Sequence, residues 1–460
     1  MRTRNESLRV QLRRALRAQR PVGTLELAAR LNVTPQTVRR LLAELPPDAL
    51  LTAGGPRRAR HALRRPLRGL TQDLPLFSVD AKGRSLQIAT LALAEPEGTL
   101  LPLGGTPWPV PEESRAGWWE GLPYPIYAMR PAGYMGRLLA RAEHVNLGVA
   151  EDPDRWSDDD ILWVLTRRGA DVPGNLILGE PAFDAWMRVK VDEAPLLRGA
   201  GLPRGYADLA AQAIALGGGG SSAAGEFPKF AALRDVDGAA TPHVLVKFSG
   251  AAGTAAERRW ADLLVCEHLA LERLQEIRGV RAARSRIVQH AGRTFLESER
   301  FDRVGLRGRL ATCALDAIDP AFIGSRDTSW PALGGRLRQL GLVDDAGLAT
   351  IASLWWFGSL IANTDMHLGN LSFFVDRTLR PAPAYDMLPM LYAPLPGGEV
   401  PARSFTPALP QPAQLESWRE ASEAAIAFWA AAGADRRISG AFRGVCGENE
   451  ERLRRVADRI

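Results

Sequence analysis

The chain is poor in cysteine, and the positions of its three cysteines exclude the common cysteine-based frameworks. Cys266, Cys313 and Cys446 lie far apart and form no CxxC pair, and none of the six histidines stands at a zinc-ligand spacing from them. The sequence therefore predicts neither a disulfide framework nor a structural metal site.

The sequence also lacks a long apolar run. Its longest uncharged apolar stretch, around Ile351 to Ala362, is too short to span a bilayer. The first twenty residues are basic and contain neither the apolar segment nor the small-residue cleavage site of a secretory signal. We therefore expect a cytoplasmic protein with no membrane partner.

Positive charge is concentrated at one end of the chain. Residues 1–68 contain sixteen arginines and four acidic residues, a net of +12, whereas the whole chain carries +6 and the remainder is therefore −6. A composition rich in arginine throughout would not leave the remainder acidic. A cationic head on a mildly acidic body is typical of a nucleic-acid-binding module attached to another function.

The head, residues 1–68, has the pattern of a winged helix-turn-helix domain. Apolar spacing predicts a first helix, a second over TLELAARL, a turn at Asn32-Val33, and a third helix with Thr34 as its N-cap and Pro35 in its first turn. In this arrangement the third helix enters the major groove of DNA. The side chains expected to face DNA are those of Gln36, Thr37, Arg39 and Arg40. A three-helix unit that mediates protein contacts is the alternative.

Two short strands joined by the turn GGPRR are expected to form a basic wing after the third helix. Its arginines would lie against phosphates, where they add affinity and salt dependence without reading sequence. These arginines are Arg57, Arg58, Arg60, Arg64 and Arg65.

The middle segment, residues 69–200, is rich in Pro, Gly and Trp and has short alternating runs, which predict a small β-rich subdomain. It has no catalytic constellation. The aromatic cluster WWEGLPYPIY is interpreted as a core seam rather than a site. The acidic run 151–160 is interpreted as a solvated loop leading into a helix rather than as a cation site.

A glycine-rich segment, residues 216–230, opens the second half of the chain. Its glycines, including Gly225, would let backbone N–H groups approach a phosphate closely. The segment does not fit the Walker spacing, because Lys229 follows a proline and precedes Phe230. Taken alone, it is better explained as a flexible linker.

The strand TPHVLVKFS places Lys247 a short distance after this segment, which is the protein-kinase order. In that arrangement the lysine binds nucleotide phosphates and pairs with a glutamate of the next helix. Glu257 and Glu267 are the candidates, and Glu267 is favoured because it lies among apolar residues; an exposed helix pair is the alternative.

Two further motifs complete the kinase order. Asp365 and Asn370 have the spacing D-x4-N, which in kinases supplies the carboxylate for the substrate hydroxyl and the amide for magnesium. Asp386 follows across an expected hairpin, where kinases carry a second magnesium ligand. Magnesium needs few protein oxygens, so one Asp and one Asn suffice. His367 either contacts the phosphates or is a structural hydrogen-bonding residue.

The segments SSAAGEFPKF, HVLVKFS, ESERFDR, NTDMHLGNLSFF and AYDMLP resemble those of the HipA-like family of serine/threonine kinases, toxins of toxin–antitoxin systems, and most of all its YjjJ-like subgroup. The resemblance implies an α+β chain with a two-lobed kinase fold after the winged helix. The kinase N-lobe would be residues 201–303 and the helical C-lobe residues 304–460.

The resemblance also implies the roles of individual residues. Lys247, with Lys229 and the glycine-rich loop, would contact ATP, and Asp365 would be the catalytic base. Asn370 and Asp386 would hold Mg²⁺, and the backbone from Glu299 to Phe301 would meet adenine. The resemblance also implies a regulatory residue. Ser222, with Ser221 beside it, aligns with the serine that is autophosphorylated in the family.

The implied partners are a protein substrate, such as an aminoacyl-tRNA synthetase or another translation factor, and an antitoxin. The DNA-binding head departs from the family, in which a separate antitoxin binds DNA. The alternative function is a transcriptional regulator whose kinase fold senses a nucleotide without protein-kinase activity.

Overall fold

A computed structural model describes residues 2–17, 20–56, 58–189, 196–217 and 227–460. The chain mixes helices and sheets, as the predicted α+β class requires, and forms two compact units. The first contains Met1–Val79, Ser85–Arg130 and Arg155–Arg188, and the second contains Asp80–Arg84, Pro131–Asp154 and Val189–Ile460. None of the helices in these described ranges is long and apolar enough to cross a bilayer.

The N-terminal part of the first unit packs helices against a small antiparallel sheet with the strand order β1-β3-β2. Its elements are α1 (Arg2–Arg17), β1 (Val22–Gly23), α2 (Thr24–Leu31), α3 (Pro35–Ala43), β2 (Leu50–Ala53) and β3 (Arg60–Leu63). α2 ends at Asn32 in the left-handed conformation, and the Thr34 hydroxyl accepts a hydrogen bond from the Thr37 N–H at the start of α3. Leu12, Leu27 and Val38 are fully buried in its core.

A second antiparallel sheet, with the order β7-β6-β5-β4-β8, follows in the same unit. The elements in chain order are β4 (Leu74–Val79), β5 (Ser85–Leu93), β6 (Thr99–Leu100), β7 (Trp118–Trp119), α4 (Tyr124–Tyr127), α5 (Gly133–Leu147, part of the second unit), α6 (Asp158–Arg168), β8 (Leu176–Leu178) and α7 (Glu180–Met187). Trp118, Trp119 and Tyr124 are buried, so the aromatic cluster belongs to the core, as predicted.

Two arginines predicted to face phosphates instead form ion pairs inside the first unit. Both nitrogens of the Arg65 guanidinium donate to Asp159, at 2.7 and 2.8 Å, and Arg64 pairs with Asp73. Asp159 belongs to the helix predicted to follow the acidic run, because Asp158 to Asp160 form the first turn of α6. The prediction for Arg64 and Arg65 is therefore wrong: their charges are already neutralised within the fold.

The second unit begins with α5 and continues with a sheet and then a helical region. Its further elements are β9 (Leu197–Arg198), α8 (Leu202–Gly217), β10 (Lys229–Asp235), β11 (His243–Phe248), α9 (Ala255–Leu274), β12 (Ser285–His290), β13 (Arg293–Glu299), β14 (Arg303–Val304), β15 (Gly308–Arg309), β16 (Thr312–Ala314), α10 (Leu315–Phe322), α11 (Trp330–Gln339), α12 (Asp345–Leu360), β17 (Ser372–Asp376), β18 (Thr378–Pro381), α13 (Leu415–Ala434) and α14 (Gly440–Ala457).

The main sheet of this unit has the order β12-β13-β11-β10-β9, and α8 and α9 pack against it. Tyr206, Phe248 and Phe295 are buried beneath it. In the helical region α12 packs on α13, and α13 on α14. The hairpin of β17 and β18 lies between the D-x4-N motif and Asp386, as predicted.

Candidate active site

The main sheet and α9 bring Lys247 and Glu267 together. Lys247 is on β11, in register opposite Lys229 of β10, and its Nζ lies 2.7 and 2.6 Å from the two carboxylate oxygens of Glu267. Glu267 is 1% exposed. Glu257, the other candidate, instead caps the start of α9 through the backbone and hydroxyl of Thr254. Of the two glutamates, Glu267 is thus the partner of the strand lysine.

Asp386 completes a three-residue cluster with these side chains. Its carboxylate accepts a hydrogen bond from Lys247 Nζ, and its backbone N–H donates to Glu267 Oε1 at 3.2 Å. Asp386 has φ +54°, a left-handed conformation that is costly for a residue with a Cβ. Contacts on both sides of the residue hold this conformation, so the surroundings fix where its carboxylate points.

The charges in the cluster are strongly coupled. Burial alone would raise the pKa of Asp386, but the positive charges of Lys247 and Lys229 overcome this effect and lower the pKa to about 2. Burial raises the pKa of Glu267, although Lys247 opposes the shift. For Lys247, the adjacent Asp386 and Glu267 outweigh burial and raise the pKa. The ammonium is thus charged and fixed between two acidic groups.

The loop after α12 carries the D-x4-N motif. Asp365 is exposed, whereas Asn370 is buried and donates through Nδ2 to the Asp365 carbonyl at 2.8 Å. His367 is exposed, and its Nδ1 accepts a hydrogen bond from the Gly369 N–H at 3.1 Å. A positive charge on His367 would add to those that lower the pKa of Asp386, so the ring lies near this carboxylate. His367 therefore has a structural bond and a position near the acidic cluster.

Two residues not predicted from the sequence hold these loops together. Asn363 is buried; its Oδ1 accepts from the Asp365 N–H at 3.0 Å and its Nδ2 donates to the Asp386 carbonyl at 3.2 Å. The Tyr385 hydroxyl donates to the Gly369 carbonyl at 2.6 Å. The only signal available in the sequence was their position beside Asp365 and Asp386.

Aromatic rings border the cluster. Lys247 Nζ lies 5.6 Å from the centre of the Phe227 ring, which packs edge-on against Trp260. The Phe301 ring packs against Tyr385, with the centroids 5.7 Å apart. Since Tyr385 directly precedes Asp386 in the chain, the segment expected to meet adenine lies close to the cluster. The Glu299 carboxylate accepts from Arg234 at 2.8 Å, and the Glu299 N–H donates to the Arg284 carbonyl at 2.8 Å.

The positions of the remaining candidates differ. Ser221, Ser222 and Gly225 of the glycine-rich segment and Arg57 of the head lie outside the described residues. On α3, Gln36, Arg39 and Arg40 are exposed, as is Arg58 after β2. Thr37 is half-buried, and its hydroxyl is hydrogen-bonded to that of Thr34 at 2.9 Å.

The site offers oxygen donors of the kind that magnesium binds. Within the described residues, no group of three or more His, Cys, Asp or Glu could hold a metal ion. Magnesium binds through one or two protein oxygens and takes its other ligands from phosphate and water. Asp386 offers a carboxylate, and Asn370 retains its amide oxygen because Nδ2 makes the bond to Asp365.

Comparisons with known proteins identify the family. The family model of the HipA-like C-terminal domain matches residues 221–453, and that of the YjjJ-like toxin, middle domain, matches residues 70–187. Toxin YjjJ of Escherichia coli (strain K12) is 34% identical over 445 residues, which cover 96% of this chain and 97% of that protein.

Among solved structures, HipA of Shewanella oneidensis MR-1, in a complex with HipB and operator DNA, has a TM-score of 0.54 at 15% identity and covers 84% of this chain and 97% of its own. The Helicobacter pylori proinflammatory kinase CtkA has a TM-score of 0.35 at 11% identity, over 52% of this chain and 92% of its own. The HipA likeness shows a common fold. The chain therefore belongs to the HipA-like family and, within it, to the YjjJ-like toxins.

Proposed function

We propose that the protein is a cytoplasmic ATP- and Mg²⁺-dependent serine/threonine kinase of the HipA-like toxin family with a DNA-binding domain of its own. The observation that carries this proposal is the cluster of the buried Lys247 and Glu267 with the half-buried Asp386, joined through Asn363 to the loop that carries Asp365. The four parts of the chain would be the winged helix of residues 1–68, the β-rich subdomain 69–200, and the kinase lobes 201–303 and 304–460.

The chemistry follows from the position of each group. Lys247, oriented by Glu267, would bind the phosphates of ATP. Magnesium, held by Asn370 and Asp386, supplies neutralisation of the phosphate charge when it is bound. Asp365, exposed at the edge of the cluster, would orient a serine or threonine hydroxyl and accept its proton.

Other groups would complete the nucleotide site. The backbone from Glu299 to Phe301 would contact adenine, and the glycine-rich loop with Gly225 and Lys229 would cover the phosphates. His367 would contribute positive charge when it is protonated. Ser222 would be the residue that the kinase phosphorylates on itself.

The partners of the kinase are part of the proposal. The HipA structure contains HipB and operator DNA, which supports an antitoxin as a partner of this chain too. The order of α2, the turn and α3, with exposed Gln36, Arg39 and Arg40, supports DNA binding by the head. The substrate would be a protein, such as an aminoacyl-tRNA synthetase or another translation factor.

Replacement of the two acidic residues tests the kinase. We expect Asp365→Asn and Asp386→Asn each to reduce phosphate transfer from labelled ATP by at least about 100-fold, because positioning and charge neutralisation supply most of the catalysis. Asp376→Asn, an exposed aspartate at the tip of the β17–β18 hairpin, is the matched control and should transfer normally. Normal incorporation by either site variant, with unchanged thermal unfolding, would refute the assignment.

The alternative, a transcriptional regulator that only senses a nucleotide, is favoured by the exposed basic helix α3. Intact mass spectrometry separates the two functions. A kinase incubated with ATP and Mg²⁺ gains mass in steps of one phosphate, and the proposed acceptor requires that Ser222→Ala lose a step. Binding of ATP without any gain in mass would support the sensor.

A further inference from the structure

Five exposed arginines of the second unit lie on two segments that meet beside the main sheet. Three are in the connection between α9 and β12, and two are on the β17–β18 hairpin. We call them the basic strip: Arg278, Arg281, Arg284, Arg377 and Arg380. The strip contrasts with its surroundings, because residues 69–460 carry a net charge of −6.

Backbone hydrogen bonds bring the two segments together. The Ala384 N–H donates to the Arg281 carbonyl at 2.8 Å, and the Ala283 N–H donates to the Ala384 carbonyl at 2.9 Å. The Arg281 side chain also donates to the Pro381 carbonyl at 3.2 Å. The connection after α9 is therefore fixed against the end of β18, although the two are about 100 residues apart in the chain.

Two arginines of the strip share one aromatic ring. The guanidinium carbons of Arg281 and Arg380 lie 5.5 and 5.7 Å from the centre of the Phe374 ring. Burial and the nearby positive charge of Arg380 both lower the pKa of Arg281. Contact with the ring stabilises two like charges close together.

The strip is not neutralised by the rest of the fold. Over the part of the chain that the structure describes, none of the five arginines forms an ion pair. Two nearby carboxylates are engaged with other partners: Glu276 pairs with Arg273, and Glu299 with Arg234. Asp376, beside Arg377 at the tip of the hairpin, is exposed, so five arginines face a single free carboxylate among the described residues and the strip keeps a positive net charge that an external anion can balance.

The surface around the strip distinguishes the kind of anion. Protein interfaces have an apolar core with aromatic or aliphatic anchors. Among described residues, the exposed large apolar side chains include none from 275–290 or 372–384. A surface with guanidinium groups and no apolar anchor fits phosphates, which arginine binds through two parallel hydrogen bonds. A sugar-phosphate backbone presents such groups in a row.

We propose that the basic strip is a second nucleic-acid contact, separate from the DNA-binding head, that binds the sugar-phosphate backbone without reading its sequence. This contact goes beyond the kinase and the head: neither the nucleotide site nor α3 includes its residues. Its affinity should depend strongly on salt, because each neutralised phosphate releases counterions.

Charge reversal in the full-length chain tests the proposal. The background is Arg39→Ala with Arg40→Ala, so that the result does not depend on DNA binding by the head. In that background, Arg281→Glu with Arg380→Glu is compared with Arg336→Glu and Arg455→Glu, two exposed arginines of α11 and α14 that form no ion pair within the described ranges. Both pairs change the net charge equally.

The probes are a fluorescent 20-nucleotide RNA and a 20-base-pair DNA duplex, both of random sequence, titrated at several salt concentrations. We expect the strip variant to bind at least one of them ten or more times more weakly and to lower the salt slope by about 1.4 to 1.8, since two phosphate contacts are lost at roughly 0.7 to 0.9 each. The control pair should change affinity less than threefold. The probe that loses affinity identifies RNA, duplex DNA or both as the source of the phosphates.

Two results would overturn the proposal. If the strip variant and the control variant lost affinity for the probes equally, net charge alone would govern binding. The second result uses a polyglutamate peptide whose charge matches that of the RNA. If the peptide binds as tightly as RNA, and the strip variant binds both equally more weakly, the partner is an acidic protein. If the glutamate variant unfolds at a lower temperature, Arg281→Gln with Arg380→Gln provides the same comparison without reversed charge.

Discussion

Asn363 connects the loop that carries Asp365 with the segment that carries Asp386. One side chain accepts from the Asp365 N–H and donates to the Asp386 carbonyl, and it is 7% exposed. One amide thus contributes to the positions of both acidic residues. Because a displacement of about 1 Å in reacting groups can cost on the order of 100-fold in rate, a residue that touches no substrate can control transfer.

Replacing Asn363 by alanine tests this positioning role. We expect phosphate transfer to fall by about 10- to 100-fold, and the loss of two buried hydrogen bonds to lower the free energy of unfolding by about 1–3 kcal/mol. The matched control is Asn449→Ala, since Asn449 is also a buried asparagine and hydrogen-bonds to Tyr392 away from the site. The control should lose stability but keep its transfer rate per folded molecule. A comparable rate in both variants would contradict the positioning role.

The sequence predicts some residues of the site better than others. Glu267 could be selected over Glu257 because apolar neighbours marked its face of α9 as buried. Asn363 could not be selected, because its contact with Asp386 spans 23 residues and exists only once the loops have folded. The left-handed conformation of Asp386 has no sequence signal either, since that conformation is usually associated with glycine.

At the scale of elements, local sequence signals predict where a helix begins more reliably than they predict which of its side chains stay exposed. α3 begins at Pro35, directly after the N-cap Thr34, as predicted, because the cap and the proline act on adjacent residues. Arg65 was predicted on a phosphate-binding surface, but its partner Asp159 lies 94 residues away, at the start of α6. Long-range ion pairs of this kind are invisible to local patterns, and only folding reveals which arginines stay exposed.

The exposed arginines of α3 permit a test of DNA binding. We expect Arg39→Ala with Arg40→Ala to weaken binding to duplex DNA by about tenfold or more and to reduce the salt slope by about 0.9 for each lost phosphate contact. Fluorescence anisotropy at several salt concentrations measures both quantities. The control is Arg65→Ala: the bidentate pair with Asp159 would be lost, which affects stability rather than contacts with DNA. Unchanged affinity of the α3 variant at every salt concentration would assign the head another role.

At the scale of the whole molecule, the order of elements could be predicted but their grouping could not. Apolar spacing indicates helices and strands, yet it does not state which element an apolar face will meet. α5 is an example: it lies between strands of the first unit in sequence but packs on α8 in the second. The kinase order of strand lysine, helix glutamate and acidic loops could be predicted, because it is an order along the chain and does not depend on which elements pack together.

Thermal unfolding of the whole protein separates nucleotide binding from transfer. A ligand that binds only the folded state stabilises it by RT ln(1 + [L]/Kd), about 2.7 kcal/mol at 100 times Kd. We expect ADP with Mg²⁺ to raise the unfolding temperature of the unmodified protein and of Asp365→Asn, since Asp365 acts on the hydroxyl. In Asp386→Asn, adding Mg²⁺ to ADP should give no further rise, because the carboxylate that holds the metal is lost. Asp376→Asn should behave like the unmodified protein. If Mg²⁺ still raised the unfolding temperature of Asp386→Asn by the full amount, the metal would bind elsewhere. Phosphate transfer by the same variant would decide independently whether Asp386 takes part in catalysis.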